Sequence, residues 1–187
     1  DALAAHGISA GESRDGVRFA RNMCPSKGTM DIFVEPVMPR PSLVICGSSP
    51  VAVALARLSM AMGYAITVCA PAPEQTSFAE VDERIEGYAL PVTAMGERFI
   101  VASTQGKGDE LAVRAMLAAN AGYKAFVGSR RKMQSIRDKL LAEGINAEAL
   151  DSIKAPAGLD IHAISPEEIA LSILAEITLV RRKHARS

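Results

Sequence analysis

The most regular feature of the chain is a short apolar run that gives way, across a turn of small residues, to helical spacing, and it occurs three times. Leu43 to Cys46 is unbroken apolar sequence, too short for a helix, and Val51 to Met62 repeats its apolar residues at helical intervals; Gly47-Ser48-Ser49-Pro50 lies between them. Arg98 to Ala102 is a second run, followed by Ser103-Thr104-Gln105-Gly106-Lys107-Gly108 and a helix from Asp109 to Ala119. Lys124 to Val127 is the third, followed by Gly128-Ser129 and a helix from Arg130 to Ala142, closed by Gly144. A further strand, Ile66 to Cys69, follows the first helix. Buried strands alternating with helices predict an α/β chain with a Rossmann-like three-layer fold, a parallel sheet with helices on both faces.

The flanks are less regular. Ser165-Pro166-Glu167-Glu168 carries a capping box with proline at the first helical position, and Ile169, Ile173, Ile177 and Val180 then share one face, so a C-terminal helix packs on the sheet. Between Pro71 and Gly96 the pattern is broken by prolines and mixed, with Ile85 to Leu90 as a short strand. Residues 1–40 have another texture. A helix end stops at Gly7 and a glycine-rich polar stretch runs through Gly16. Two short apolar runs, Val17 to Ala20 and Thr29 to Pro36, then flank a turn at Cys24 to Gly28 and suggest a hairpin or edge strands. Pro36, Pro39 and Pro41 make a stiff exit. The expected organisation is a short N-terminal arm, residues 1–40, and a Rossmann-like nucleotide- or cofactor-binding domain, residues 41–187.

Composition narrows the function classes. Lys+Arg and Asp+Glu are both 21, so the chain has no overall electrostatic attraction for nucleic acid or anionic lipid, and 4% aromatic residues leave little for stacking on bases. Arginines and glutamates interrupt every long apolar run, so no membrane span is expected, and the first residues do not resemble a signal peptide. The first residue is Asp1 rather than Met, which suggests processing or a fragment. Three cysteines without a CxxC pair fit a reducing, cytoplasmic setting, and three scattered histidines give no zinc-type spacing, so no metal site is expected.

The candidate chemistry lies in the three turns. Gly47, Ser48, Ser49, Pro50 and Val51 form a phosphate-binding strand-turn-helix, since a glycine leaving a strand lets the backbone approach a ligand and the helix start aims N–H groups at it. Relative to the dinucleotide fingerprint, Gly47 and the small Ala52 are kept, but Ser49 stands at the second glycine. The second strand runs into Ala70-Pro71-Ala72-Pro73 without the acid that would hold a ribose, and the first carboxylate is Glu74. Gln105, Gly106 and Lys107 form a flexible loop at the same predicted edge, where Lys107 reaches a phosphate or the glycines serve only the turn. Gly128, Ser129, Arg130 and Arg131, with Lys132, place three cations against a helix dipole, an arrangement that a bound anion would offset unless the side chains reach surface acids instead. Cys46 and Cys69 end neighbouring strands, either as soft ligands facing the cleft or as small buried hydrophobes; Cys24 sits in a loop near Lys27 as a candidate reactive thiol. No nucleophile, base and orienting acid come together in the sequence, which favours binding over turnover.

The segments Cys24-Pro25-Ser26-Lys27-Gly28-Thr29, Asp31-Ile32-Phe33-Val34-Glu35-Pro36, Val127-Gly128-Ser129-Arg130-Arg131-Lys132, Ala155-Pro156-Ala157-Gly158-Leu159-Asp160-Ile161 and Ser165-Pro166-Glu167-Glu168-Ile169-Ala170 resemble the XdhC/CoxI family. The resemblance covers nearly the whole chain and corresponds to the family's C-terminal Rossmann domain, preceded by the tail of its N-terminal domain. It implies a maturation factor for molybdenum hydroxylases such as xanthine dehydrogenase or carbon monoxide dehydrogenase. Such a factor binds the molybdopterin cofactor, often as a dinucleotide with the cytosine form among them, and passes it to the apo molybdenum hydroxylase around a sulfuration step that brings in a sulfurtransferase. A homo-oligomer is expected. The chain departs from the family at Gly47-Ser48-Ser49-Pro50, where a Gly-Ala-Gly-His type turn is common, and at Ala70-Pro71-Ala72, where Asp-Pro-Arg is common. The alternatives from other classes are an NAD(P)-dependent oxidoreductase, on the fold alone, and a docking scaffold whose residues 1–40 meet a molybdoenzyme or a second copy.

Overall fold

The computed structural model describes residues 38–90 and 96–184 without a break, and residues 7, 9–21, 23, 25, 30–33 and 35 before them. The chain divides into two compact units, Asp1–Val37 and Met38–Ser187.

In the first unit, β1 (Ser13–Arg14) and β2 (Val17–Arg18) pair antiparallel, with Arg14 opposite Val17. Of the hairpin or edge strands expected from Val17 to Ala20 and Thr29 to Pro36, the described residues show β2 paired with the strand just before it, while Thr29, Val34 and Pro36 lie outside the described residues. Asp15 and Gly16 both adopt positive φ, 51° and 80°. Such a pair closes a two-residue hairpin at once, before a more distant partner can compete. Among the described residues, 30–33 and 35 belong to no strand. Cys24 lies outside the described residues, as do Ser26 to Thr29.

The second unit is built on five parallel strands, β3 (Ser42–Cys46), β4 (Ala65–Ala70), β5 (Glu83–Glu86), β6 (Arg98–Ala102) and β7 (Tyr123–Phe126), in the order β5-β4-β3-β6-β7. The expected Rossmann-like architecture is present. Successive residues of a strand face opposite sides, and here both sides are covered, so the central strands are mostly apolar, with Ser42, Thr67 and Arg98 the exceptions in β3, β4 and β6. Leu43, Ile45, Phe99 and Val101 pack on one face against α1 (Pro50–Ala61) and the C-terminal helix α5 (Pro166–His184). Val44, Ile100 and Ala102 pack on the other, against α2 (Asp109–Ala118) and α3 (Arg130–Ala142), with the short α4 (Ala147–Asp151) beyond. The α5 start has the expected box: Ser165 Oγ accepts from Glu168 N–H, and the Glu168 carboxylate accepts from Ser165 N–H at 2.9 Å.

The strand expected at Ile85 to Leu90 begins two residues earlier and ends four residues earlier. It is the edge strand, only Ile85 of its four residues is shielded, and Glu83, Arg84 and Glu86 hide it from an apolar pattern. At the opposite edge, residues 153–157 add main chain to β7: Phe126 N–H donates to Lys154 C=O and Ala157 N–H to Phe126 C=O.

Candidate functional site

Strand order places the crevice. From β3 the chain leaves through α1 toward β4, and from the adjacent β6 it leaves through α2 toward β7, on the opposite side. The two departing loops diverge at the carboxyl ends of β3 and β6, which is where doubly wound sheets open a cleft. Gly47 follows β3 at φ 109°, and a Cβ there would lie 2.7 Å from the Ser103 carbonyl carbon and 2.8 Å from Thr104 Cα. Only glycine lets the two loops lie backbone to backbone. Gly47 N–H donates to Cys69 C=O, Ser103 N–H to Cys46 C=O, and Ser49 N–H to Ser103 C=O.

Ser49, at the place of the second fingerprint glycine, is buried and turned inward. Its Oγ lies 2.5 Å from Ser103 Oγ and accepts from Ala52 N–H, capping α1. Pro50 has no N–H and Val53 bonds back to Ser49 C=O. Among the described residues, the turn is left with the N–H groups of Ser48 and Val51 as donors without a partner, at the positive end of the helix dipole.

Ser48 and Ser49 on the β3 side, Glu74 and Ser77 after β4, and Thr104, Gln105 and Lys107 after β6 line a cleft of about 230 Å³, of which Val51 is not part. A second hollow of about 310 Å³ shares Ser48 and Ser77 and continues past Pro50 and Arg57 to Pro166 and Glu167 at the start of α5. Glu74 arrives because residues Ala72–Ser77 form a short 3-10 helix after β4, and its carboxylate accepts from the Ser48 hydroxyl. The sequence showed Glu74 as the first carboxylate after β4 but not that this turn carries it back to Ser48. Gln75, beside it, is buried and its amide donates to Ala70 C=O and Ile85 C=O, fixing the turn on the strand ends. Lys107 is exposed, and its ammonium has no partner among the described residues.

The Gln105–Gly108 loop is held from two sides. Tyr88 lies against Gly108 and donates its hydroxyl to Lys107 C=O at 2.9 Å; burial and the Glu74 charge hold this phenol above its ordinary range, so it stays a donor. Asp109 Oδ1 accepts from the Thr104 hydroxyl and from Gly106 N–H, and Asp109 Oδ2 meets Lys132 Nζ at 2.6 Å. Burial raises the Asp109 pKa, but Lys132, Thr104 and Gly106 together more than offset this and leave the carboxyl below the ordinary range.

The third turn lies one strand further along. Ser129 caps α3 by accepting from Lys132 N–H, and Lys132 leans over the Phe126 ring toward Asp109. One of the three cations is thus already balanced. Arg130 and Arg131 are exposed and, among the described residues, have no partner; neither they nor Gly128 and Ser129 line the cleft. Cys46 and Cys69 are register partners, fully buried on the α2 and α3 side and absent from the cleft wall. Their mutual hydrogen bond, then burial, push the Cys46 thiol well above its ordinary range. They pack as small core residues, and among the described residues no cluster of metal-ligating side chains is present.

The Ala155–Ile161 segment is pinned by Glu176 of α5, a buried carboxylate that accepts from Tyr123 Oη at 2.6 Å, Gly158 N–H at 3.0 Å and Lys154 Nζ. Gly158, at φ 93°, lies against Ser172 and Ile173 too closely for a side chain.

A five-stranded parallel sheet of this order, with its cleft at the point where the connections diverge, defines a Rossmann-type α/β domain. Within that class the chain belongs to the XdhC Rossmann domain family, which residues 43–177 match. It is 29% identical over 177 residues to an uncharacterized protein, YqeB, of Escherichia coli, covering 88% of this chain and 32% of that protein. To a Bacillus subtilis protein described as a probable xanthine dehydrogenase subunit it is 27% identical over 165 residues, covering 84% and 48%. The fold is similar to that of a crystal structure described as a xanthine dehydrogenase from Bacillus halodurans, with a TM-score of 0.64 at 24% identity, covering 78% of this chain and 44% of that one. The chain therefore spans about a third to a half of the length of the curated relatives it matches. No helix among the described residues is long and apolar enough to cross a membrane.

Proposed function

We propose that this domain is the cofactor-binding module of a maturation factor for a molybdenum hydroxylase, holding the molybdopterin cofactor by its phosphates and handing it to the apoenzyme. Membership in the XdhC family and the B. subtilis relative's name support a xanthine dehydrogenase-type client. The observation that carries the reading is the cleft itself: the unpartnered N–H group of Ser48 at a helix start, with Lys107 on the same cleft wall, suits a phosphate. The two adjoining hollows match an elongated ligand better than a compact one, as a pterin dinucleotide requires. Arg130 and Arg131 stand as a further anion contact beyond the cleft. A sulfurtransferase and a second copy of the chain are further partners of this reading.

The test is the content of the protein purified from its native host, molybdenum by elemental analysis and released pterin by fluorescence. Stoichiometric pterin is the expected result. Absence of pterin with titratable binding of NAD or NADP would replace the reading with a nicotinamide-dependent oxidoreductase; absence of both would leave a docking scaffold.

A further inference from the structure

We propose that Cys46 and Cys69 form an oxidation site, a dithiol that hydrogen peroxide converts reversibly to a disulfide beneath the cleft, with Arg98 favouring the thiolate that attacks. The two cysteines end neighbouring strands as register partners. Parallel strands lie about 4.8 Å apart, within the Cα separation of about 4.4 to 6.8 Å that a disulfide spans. Both thiols are free and belong to the same core cluster, where Cys46 donates its hydrogen bond to Cys69. Gly47 N–H donates to Cys69 C=O, so a bridge here ties together the strand ends that carry the first turn of the cleft.

A buried cation lies on the same face. Among the described residues, the buried side-chain nitrogens without a hydrogen bond are Arg98 Nε and Nη2, and Arg98 is 6% exposed. A guanidinium stays charged, and burying it unpaired is costly, so an anion nearby relieves it. Arg98 stands two residues before Ile100 on β6, on the side of the sheet that Ile100, Cys46 and Cys69 share. The hydrogen bond from Cys46, helped by the Arg98 charge, lowers the Cys69 pKa against burial and Glu83, while Cys46 is pushed up and stays protonated. One sulfur is thus suited to attack and the other to resolve. Access comes through a thin cover. The connection from β5 to β6 has no helix among the described residues, and its half-buried Tyr88 and Leu90 pack on the thiol-bearing cluster. Opening such a connection costs less than global unfolding and admits a molecule as small as peroxide.

The Cys69 sulfur attacks one peroxide oxygen and the O–O bond breaks; the hydroxide released takes up the proton that Cys69 had given to solvent. The Cys46 sulfur then attacks the sulfenic sulfur. The S–S bond forms, the S–O bond breaks, and the hydroxyl leaves with the Cys46 proton as a second water. Two thiols are oxidised and one peroxide is reduced.

The test uses the full chain with Cys24→Ser, so that only the pair remains. The folded protein is treated with millimolar hydrogen peroxide, then unfolded, alkylated and weighed. The expected result is loss of two hydrogens with neither cysteine alkylated, reversed by dithiothreitol. With Cys46→Ala added, dimedone should trap Cys69 as a sulfenic acid; with Cys69→Ala, Cys46 should stay a thiol. Arg98→Met should slow oxidation about tenfold and Arg98→Lys should restore most of the rate, with thermal unfolding confirming that each variant folds. Two thiols still open to alkylation after the folded Cys24→Ser chain has stood in peroxide would overturn the site, whatever the variants do. Equal oxidation rates with and without Arg98→Met would overturn the part given to Arg98.

Discussion

Lys132 and Asp109 form an ion pair at 2.6 Å that joins the helix after β7 to the start of the helix after β6, although the two residues belong to different repeats of the strand-turn-helix pattern. Asp109 is 9% exposed and holds Thr104 and Gly106 N–H as well, so it serves as the clamp of the Gln105–Gly108 loop. Asp109→Ala should cost about 2 kcal/mol in urea unfolding, because three donors lose one charged acceptor.

The same carboxylate predicts a pH dependence. Its folded pKa is depressed below its unfolded value, so its contribution is fully present above the unfolded pKa, near 4, and is lost as pH falls through the folded one. The stability gap between wild type and Asp109→Asn should therefore be constant from about pH 5 to 7 and shrink below about pH 4. A gap that widens on acidification would contradict the assignment.

Gly47→Ala and Gly63→Ala separate contact from conformation. Both glycines have positive φ, 109° and 80°, but a Cβ at Gly63 meets nothing within 4 Å, whereas one at Gly47 meets the Ser103 and Thr104 backbone. Gly63→Ala should cost about 1 kcal/mol. Gly47→Ala should cost about 3 kcal/mol or more, since two backbones must separate. Equal losses would mean that the loops do not touch.

Glu176 offers a test of the Ala155–Ile161 anchor. Glu176→Ala strands Tyr123, Lys154 and Gly158 N–H together and should lose about 2 kcal/mol, whereas Tyr123→Phe removes one bond and should lose about 1 kcal/mol. Their double mutant should be less destabilised than the sum of the two, because the pair shares a bond.

Lys107→Ala should leave the melting temperature unchanged, since the side chain is exposed, and lower affinity for the purified pterin cofactor about tenfold. Arg130→Ala with Arg131→Ala should do the same if the ligand extends to the third turn. Unchanged affinity in that double variant would confine the ligand to the cleft.

The sheet was legible because its strands are buried on both faces, so Leu43 to Cys46 and Phe99 to Ala102 appear as unbroken apolar runs and match the observed strands within a residue. Helix starts were legible from chemistry: Pro50, Asp109, Arg130 and Pro166 all begin helices where the turns and caps indicated. Misplaced elements were those whose pattern is polar. Strand β5 is charged because it is an edge, and the β1–β2 hairpin rests on Asp15-Gly16, a turn signal lost in a glycine-rich polar stretch whose β1 has no apolar residue. The cleft was legible in its turns but not in its bonds. Ser49 pairs with Ser103 across 54 residues, Glu74 meets Ser48 across 26, and no local spacing encodes such pairs.

The two ends of the sheet have different finishes with a common consequence. At β5 the last strand is short and carries Glu83, Arg84 and Glu86; at β7 the outer hydrogen-bonding groups are taken by residues 153–157. Charge discourages β-augmentation at one rim and the chain's own backbone occupies the other. Any protein that docks on the sheet-bearing unit is therefore steered to its loops or helix surfaces, and the unit resists the rim-to-rim stacking to which exposed parallel sheets are prone.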